Sequence, residues 1–253
     1  MTTPTIRRVV YPESDGKPMA ETDHHRNLML ELIFALKQFL STTKAYVSGN
    51  LFIYFEEGNP RKSVAPDVFV VMGINQESRR TYQTWQHGGK MPDVVIELTS
   101  KRTIGEDRSG KMQLYASLGV REYFLFDPFG TLMDPRLQGF RLQGAAYVQM
   151  SDVPLRSDVL GLELRTDDTH LRLYDMRTGA RLMTTEEEVV ARRSADAARR
   201  TLELRLIAEN DARVTAEEHA EQEAARAEQE AARATAAEEE IARLRALLAA
   251  RGA

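Results

Sequence analysis

Cysteine is absent from the chain of 253 residues, which excludes structural disulfides and thiolate metal sites and leaves the redox compartment open. The chain also has no hydrophobic run long enough to cross a bilayer, and its first residues lack the apolar stretch of a signal peptide. From these absences we expect a soluble, cytoplasmic protein with no membrane partner.

Glycine and proline are missing from residues 184–250, where Ala, Glu, Arg, Gln and Leu dominate. The run EQEAARA at 221–227 is repeated at 228–234, and alanines at 220, 224, 227, 231 and 234 have the spacing of a coiled-coil seam that Ile241 and Leu248 continue. We therefore expect a long charged α-helix over 184–253, coiled-coil-like, that supports a homodimer or recruits a protein partner. Because alanine buries little surface, a lone charged helix is the alternative.

Net charge is also small. The whole chain carries −4, and residues 184–253 hold 11 basic and 16 acidic side chains, so residues 1–183 carry +1 (−4 minus −5). A near-neutral domain can bind nucleic acid only through a local basic patch. The candidates, by position, are Arg79, Arg80, Trp85, Lys101 and Arg102. The alternative for the first three is a surface loop with its tryptophan packed on the domain.

The chain is expected to consist of an N-terminal arm at 1–20, a folded domain at 21–183 and the long helix at 184–253. The domain opens with an amphipathic helix that Thr22 or Asp23 caps. His24 and His25 lie in its first turn. Adjacent helical residues point about 100° apart, so these histidines cannot chelate one metal as an i, i+4 pair can. They are either solvent-facing or capping residues, or they serve a nearby site.

Residues 92–128 contain the most informative pattern. The segment VVIEL at 94–98 is typical of a strand buried on both faces, and Glu97 is its only charge. A second apolar strand follows at 122–127. The helix between them predicts a parallel strand–helix–strand crossover. Alternating patterns predict further strands between 45 and 72 and after residue 138.

The helix of this crossover has its own anomaly. Thr103 and Glu106 have the spacing of a capping box, and Gly119 stands where a left-handed C-cap belongs. Between them, Lys111 shares or borders the apolar stripe instead of the solvated face. A lysine in that position needs a reason, and a carboxylate partner is one.

Asp67 and Glu97 are single acids on two buried-looking strands, and with Lys111 they form a candidate site. Two such carboxylates could hold Mg²⁺ or Mn²⁺, whose oxygen ligands lie at about 2.0–2.2 Å. Asp93 lies four residues before Glu97, about 13 Å along the strand, too far to share an ion. In phosphodiester hydrolysis the metal would polarise the phosphate and acidify a water, while Lys111 would orient that water or stabilise negative charge. The structural alternative is a loop-capping acid and a lysine that is simply paired.

The ordered motifs resemble the Uma-type restriction-endonuclease-like family of the PD-(D/E)XK nuclease superfamily, over about residues 20–175. The segments that carry the resemblance are Pro66-Asp67, the run Pro92 to Ser100, the helix positions Asp107, Lys111 and Tyr115, and the run Gly119 to Pro128. Lys101 stands where a proline is usual, and Phe124 stands where tryptophan is common. Neither difference removes a metal ligand.

This resemblance implies a restriction-endonuclease-like α/β (α+β) fold with a mixed central sheet flanked by helices. It implies a divalent-metal site held by Asp67, Glu97 and the main-chain carbonyl of Leu98. The superfamily's lysine would fall two residues after the glutamate, where this chain has Thr99, and Lys111 matches the lysine that has moved to the helix.

The resemblance also implies accessory roles for Tyr115 and for His24 or His25, one of which opens the first core helix. The implied function is a Mg²⁺-dependent (or Mn²⁺-dependent) endonuclease that hydrolyses DNA. The alternative is a catalytically silent nuclease fold that binds or scaffolds through the C-terminal helix, because a fold does not by itself guarantee an activity.

Overall fold

The computed structural model describes residues 9–14 and 22–251. Most of the expected N-terminal arm at 1–20 lies outside these residues. The chain divides into two compact units, Met1–Glu188 and Val189–Ala253. Within the part of the chain that is described, no helix combines the length and the apolar character that a membrane crossing requires.

The first unit alternates short helices with twelve strands in its described part. In chain order these elements are α1 (Asp23–Phe39), β1 (Ala45–Ser48), β2 (Ile53–Tyr54), β3 (Ser63–Val64), β4 (Val68–Met72), β5 (Tyr82–Gln83), β6 (Val94–Leu98), α2 (Ile104–Glu106), α3 (Met112–Ser117), β7 (Glu122–Phe126), β8 (Leu137–Gln143), β9 (Ala146–Gln149), β10 (Leu155–Ser157), β11 (Leu162–Asp167) and β12 (His170–Asp175).

Six of these strands form a central mixed sheet in the order β1-β4-β6-β7-β8-β9. Strands β6 and β7 are parallel, as the sequence predicted, and the other neighbours in this sheet are antiparallel. Two three-stranded sheets, β3-β2-β5 and β10-β11-β12, accompany it. The expected mixed sheet with flanking helices is therefore confirmed.

Both faces of the central sheet are covered, which explains why β6 and β7 are apolar except for Glu97 and Glu122. Side chains alternate between the two faces of a strand. Ile96 and Phe124 thus face a core shared with α1 and the sheet β10-β11-β12, whereas Val95 and Tyr123 face a core that contains Tyr115 of α3. These two cores hold the end of β6, and with it Glu97, in a fixed position.

Helix α1 begins where the sequence predicted and is capped by Thr22. The Thr22 hydroxyl accepts a hydrogen bond from the His25 N–H at 3.2 Å, so Thr22, and not Asp23, is the N-cap. Such a cap contributes about 1 kcal/mol to helix stability. It also fixes the direction in which His24 and His25 leave the first turn.

The crossover helix is less regular than expected. A π-helical turn, Asp107–Lys111, separates α2 from α3. Gly119 ends the helix with φ at 79°, which confirms the left-handed C-cap. The predicted capping box at Thr103 is wrong, because Thr103 already has helical backbone angles and its hydroxyl accepts from the Ser100 N–H at 3.1 Å.

Glu122 on β7 joins the sheet β10-β11-β12 to the central sheet. Its carboxylate is buried and accepts hydrogen bonds from the Ser157 hydroxyl and from the Asp158 N–H at 2.9 Å. The Arg141 guanidinium lies 3.6 Å away. A buried carboxylate tolerates the loss of water only with such partners, so Glu122 acts as a structural anchor.

The second unit consists of the greater part of a single helix, α4 (Thr185–Arg251), which is 67 residues long. The expected long C-terminal helix is confirmed. The described side chains of residues 189–245 are all exposed, and its ion pairs, such as Arg199 with Glu203, are surface pairs worth a few tenths of a kcal/mol. A coiled coil, a homodimer and a protein partner each require another chain, so they stay predictions.

Replacing the anchor, Glu122→Ala, is expected to lower the free energy of unfolding by about 2–4 kcal/mol. The change leaves the buried Ser157 hydroxyl and the partly buried Asp158 N–H without this acceptor. Urea unfolding followed by circular dichroism measures the loss. Arg26→Ala, which removes an exposed pair with Asp23, is the control and should cost less than about 1 kcal/mol. Equal stability of the two variants would contradict the anchoring role.

Candidate functional site

Asp67 and Glu97 lie side by side at one end of the central sheet. The antiparallel register that pairs Val68 with Ile96 places Asp67 opposite Glu97. The Asp67 N–H donates to Oε2 of Glu97 at 3.3 Å, and the Leu98 N–H donates to Oδ2 of Asp67 at 2.7 Å. Each carboxylate is thus held by the main chain of the other's strand, and the two acids singled out from the sequence are brought together.

Glu97 has no exposed surface, and it contacts two side chains of the crossover helix. The Lys111 Nζ lies 3.2 Å from its Oε1, and the Tyr115 hydroxyl donates to the same oxygen at 2.9 Å. Burial and the charge of Asp67 raise the pKa of Glu97 to about 8, although Lys111 and the Tyr115 hydrogen bond oppose the shift. The carboxylates of Asp67 and Glu97 together can carry more negative charge than the single positive charge of Lys111 neutralises.

Lys111 bridges two carboxylates, because its Nζ also lies 2.9 Å from Oδ1 of Asp107. Burial lowers the pKa of Lys111, but the charges of Glu97 and Asp107 outweigh it, and the net shift is upward. The ammonium consequently stays charged at neutral pH. Burial raises the pKa of Asp107, whereas Lys111 lowers it, with a net upward shift.

Asp107 is the site residue that the sequence reading missed as a functional candidate. It is 1% exposed and occupies the π-helical turn, four residues before Lys111. Its carbonyl oxygen accepts a hydrogen bond from the Tyr123 hydroxyl at 2.9 Å, which ties the turn to β7. The i, i+4 spacing of an acid and a lysine was the pattern that could have identified it. π-Helical turns occur frequently at functional sites.

The first turn of α1 contributes to the same place. His25 Nε2 lies 3.3 Å from Oδ1 of Asp67, so each of the two Asp67 oxygens has a partner. His24 points elsewhere, with its ring centroid 5.1 Å from that of Phe129. Of the two candidate accessory histidines, His25 is thus the one in contact with Asp67, and Tyr115 contacts Glu97.

Gly49 allows the chain to pass close to the main chain of Asp67. A Cβ atom at position 49 would lie 1.9 Å from the Asp67 carbonyl oxygen and 2.8 Å from the Ile33 side chain. The neighbouring Asn50 N–H donates to the Pro66 carbonyl at 2.8 Å. Any side chain at 49 would push the backbone that carries Asp67, so the glycine is needed for the position of the acid.

A cleft of about 430 Å³ opens beside these residues. Asp67, His25, Lys101, Arg102 and Phe129 are among the residues that line it. Lys101 and Arg102 are exposed, so two of the predicted nucleic-acid-binding residues lie at the opening of the site. A larger cavity of about 700 Å³ lies between β8–β9 and β10–β11, away from all the predicted site residues. Chemistry, and not volume, therefore identifies the site.

The other basic and aromatic candidates lie elsewhere. Arg79 stacks over the Tyr46 ring at 4.2 Å and donates to the carbonyl of Asn75, while Arg80 pairs with Glu13. Trp85 packs 5.1 Å from the Tyr11 ring. These three residues do not line the cleft.

Asp93 also stays apart from the two site acids. Its Oδ1 accepts from the Arg121 guanidinium at 2.8 Å, and its Oδ2 accepts from the Met72 N–H at 2.6 Å. Those contacts give Asp93 a structural role at the opposite end of β6. Its separation from Glu97 agrees with the strand geometry used above.

The donor set suits a hard divalent cation. Within the described residues, no group of three or more His, Asp or Glu side chains is arranged to hold a metal. The protein would therefore offer the carboxylates of Asp67 and Glu97 and the carbonyl of Leu98. Mg²⁺ characteristically keeps several waters and binds through one or two carboxylates. Burial and, after it, the charge of Asp67 raise the pKa of Glu97, and a cation would offset both effects.

The chain is similar to a known protein family and to a solved structure. The family model Uma2, described as "Putative restriction endonuclease", matches residues 5–169, a stretch that contains the whole candidate site. No curated protein matches the chain. A solved structure from Anabaena variabilis, described as "a putative nuclease belonging to DUF820", is 18% identical, with 56% of this chain and 75% of that chain covered and a TM-score of 0.41.

Lys111→Met is expected to lower the free energy of unfolding by about 3–5 kcal/mol at neutral pH, because two buried carboxylates lose their shared partner. Adding Asp107→Asn should restore part of that loss. Urea unfolding in the presence of EDTA measures both. Lys101→Met, which changes an exposed lysine of the same cleft, is the matched control and should stay within about 0.5 kcal/mol of the wild type. Additive losses for the double variant would contradict the bridging role of Lys111.

Proposed function

Because the chain belongs to the Uma2 family of restriction-endonuclease-like proteins, we propose that it is an endonuclease that hydrolyses phosphodiester bonds of DNA with Mg²⁺ or Mn²⁺. One observation carries the proposal: Asp67, Glu97 and Lys111, which come from three separate segments, meet beside a cleft that Lys101 and Arg102 line. Two carboxylates, a buried ammonium and basic residues at the opening are the groups that this chemistry needs.

Asp67 and Glu97, with the Leu98 carbonyl, would hold the cation. When bound, the cation supplies Lewis-acid polarisation of the phosphate and lowers the pKa of a water molecule. The main-chain hydrogen bonds from Asp67 and Leu98 and the Tyr115 hydroxyl fix the carboxylate oxygens, so little reorganisation is needed. His25 orients Asp67 through its Oδ1.

Lys111 would stabilise the negative charge that develops during phosphodiester cleavage. Its raised pKa keeps the ammonium protonated at neutral pH, and its contacts with Glu97 and Asp107 fix Nζ near the acids. Preorganised charges in a site with little water are worth more than the same charges in solution. Lys101 and Arg102 would attract the phosphate backbone at the cleft opening.

The alternative is a silent nuclease fold that acts as a scaffold through α4. Residues 184–253 carry a net −5 and would repel DNA, so this helix suits a protein-facing role better than a nucleic-acid-facing one. A degenerate site would not be expected to keep both acids and the lysine in contact. The retained contacts favour the enzyme.

Cleavage of supercoiled plasmid is the direct test. We expect the wild-type chain to nick the plasmid with Mg²⁺ or Mn²⁺ and not with EDTA. Asp67→Asn, Glu97→Gln and Lys111→Met should each lower the rate by about 100-fold or more, because each removes a metal ligand or a preorganised charge. Asp93→Asn, an acid from the other end of the same strand, should keep the activity. No cleavage by a folded wild type would favour the scaffold.

Metal binding can be measured without activity. At a Mn²⁺ concentration about 100-fold above Kd, the melting temperature of the wild type should rise by about 5–10 °C, since a ligand that binds only the folded state stabilises it. Glu97→Gln should abolish the rise, and EDTA should reverse it. Asp93→Asn again serves as the control and should retain the shift. An equal rise in Glu97→Gln would place the cation elsewhere.

A further inference from the structure

Phe129 is an exposed aromatic side chain at the cleft beside the site. Its side chain is 60% exposed. Every other Phe, Tyr and Trp among the described residues is buried or partly buried. A scattered exposed apolar residue needs no explanation. Phe129, however, lines the same cleft as Asp67, Lys101 and Arg102. An exposed aromatic ring that shares a cleft with two basic side chains and Asp67 is suited to a ligand with both a phosphate and a flat ring.

The loop that carries Phe129 is held rigidly by Asp127. The buried Asp127 carboxylate accepts hydrogen bonds from the Phe129 N–H at 3.2 Å, the Leu132 N–H at 2.6 Å and the Met133 N–H at 3.1 Å. The guanidinium of Arg136 donates to the Asp127 carbonyl at 3.2 Å. The ring is thus presented from an ordered turn, so a ligand that stacks on it has little loop-ordering cost to meet.

Phe129 contacts the ring of His24, which in turn contacts the ring of His170. The Phe129 centroid lies 5.1 Å from the ring of His24, which lies 5.8 Å from the ring of His170. His24 comes from the first turn of α1, and His170 begins β12. His24 therefore contacts Phe129, while its neighbour His25 contacts Asp67.

The cleft is small for a duplex. A space of about 430 Å³ lies in the range of pockets that hold a single small-molecule-sized ligand. One nucleotide can place its base against Phe129 and its phosphate towards Lys101 and Arg102. A paired base could reach the ring only after it unpaired and unstacked from its neighbours, at a cost that a single strand does not have.

We propose that Phe129 stacks on an unpaired base, and that the site consequently takes single-stranded or locally unpaired DNA in preference to intact duplex. This inference rests on the proposed function, because it names the form of the nucleic acid that the same site accepts. Base–aromatic stacking is tolerant of sequence, so the preference concerns strandedness and not a base sequence.

Fluorescence anisotropy with the full chain tests the proposal. The probes are a labelled oligodeoxynucleotide and the duplex that it forms with its complement, in buffer with EDTA so that metal-dependent cleavage does not interfere. We expect the single strand to bind at least about tenfold more tightly than the duplex. Phe129→Ala should weaken single-strand binding by about tenfold and leave duplex binding nearly unchanged. Phe129→Trp should retain the affinity, because it keeps a stacking surface.

Two further variants separate stacking from general apolar contact. Phe129→Leu keeps an apolar side chain without a ring face and should behave as Phe129→Ala does. Val148→Ala changes another exposed apolar residue, on β9 and outside the cleft, and should match the wild type. A 2-aminopurine base in the single strand should lose fluorescence on binding to the wild type and much less on binding to Phe129→Ala.

Equal affinity for both forms, no binding to either, or wild-type binding by Phe129→Ala would overturn the inference. The plasmid assay reports on hydrolysis separately. Phe129-dependent binding of single strands by a chain that cuts nothing would overturn the nuclease proposal and support the stacking role. A chain that nicks plasmid but shows no Phe129 dependence would do the reverse.

Discussion

The burial of Glu97 beside a second acid is the constraint on which the rest of the first unit depends. A carboxylate without solvent costs several kcal/mol unless partners replace the lost water. Here the partners are the Lys111 ammonium, the Tyr115 hydroxyl and the Asp67 N–H. They come from the crossover helix and from the residue that precedes β4, so satisfying one side chain fixes two elements against β6. The fold can keep Glu97 buried because these elements are also packed against the two hydrophobic cores.

Two local irregularities of the backbone, the π-helical turn and the close approach at Gly49, are related to the same constraint. The π-helical turn brings Asp107 and Lys111 together and is tied to β7 by the Tyr123 hydroxyl. Gly49 lets another segment pass against the Asp67 carbonyl, where any side chain would collide. Both features position residues of the candidate site.

The sequence predicted the structure correctly where a pattern of residues is compatible with only one arrangement. Two single acids on all-apolar strands predicted that Asp67 and Glu97 would be neighbours, and the parallel β6–β7 pair followed from the strand–helix–strand spacing. The sequence did not predict the structure where a local pattern is compatible with several arrangements. Composition could not tell that Arg79 would stack on Tyr46 and lie outside the cleft. Capping-box spacing at Thr103 could not reveal that this residue is already helical. Tertiary contacts decided both.

The distribution of charge limits how this chain can hold a nucleic acid. Residues 1–183 carry only +1 and residues 184–253 carry −5, so net charge alone does not attract this chain to a duplex. Lys101 and Arg102 concentrate positive charge at the cleft opening instead. A site with few phosphate contacts must obtain its affinity from contacts that salt does not screen. Stacking on Phe129 is a contact of that kind, which is why the proposed substrate is single-stranded or locally unpaired DNA.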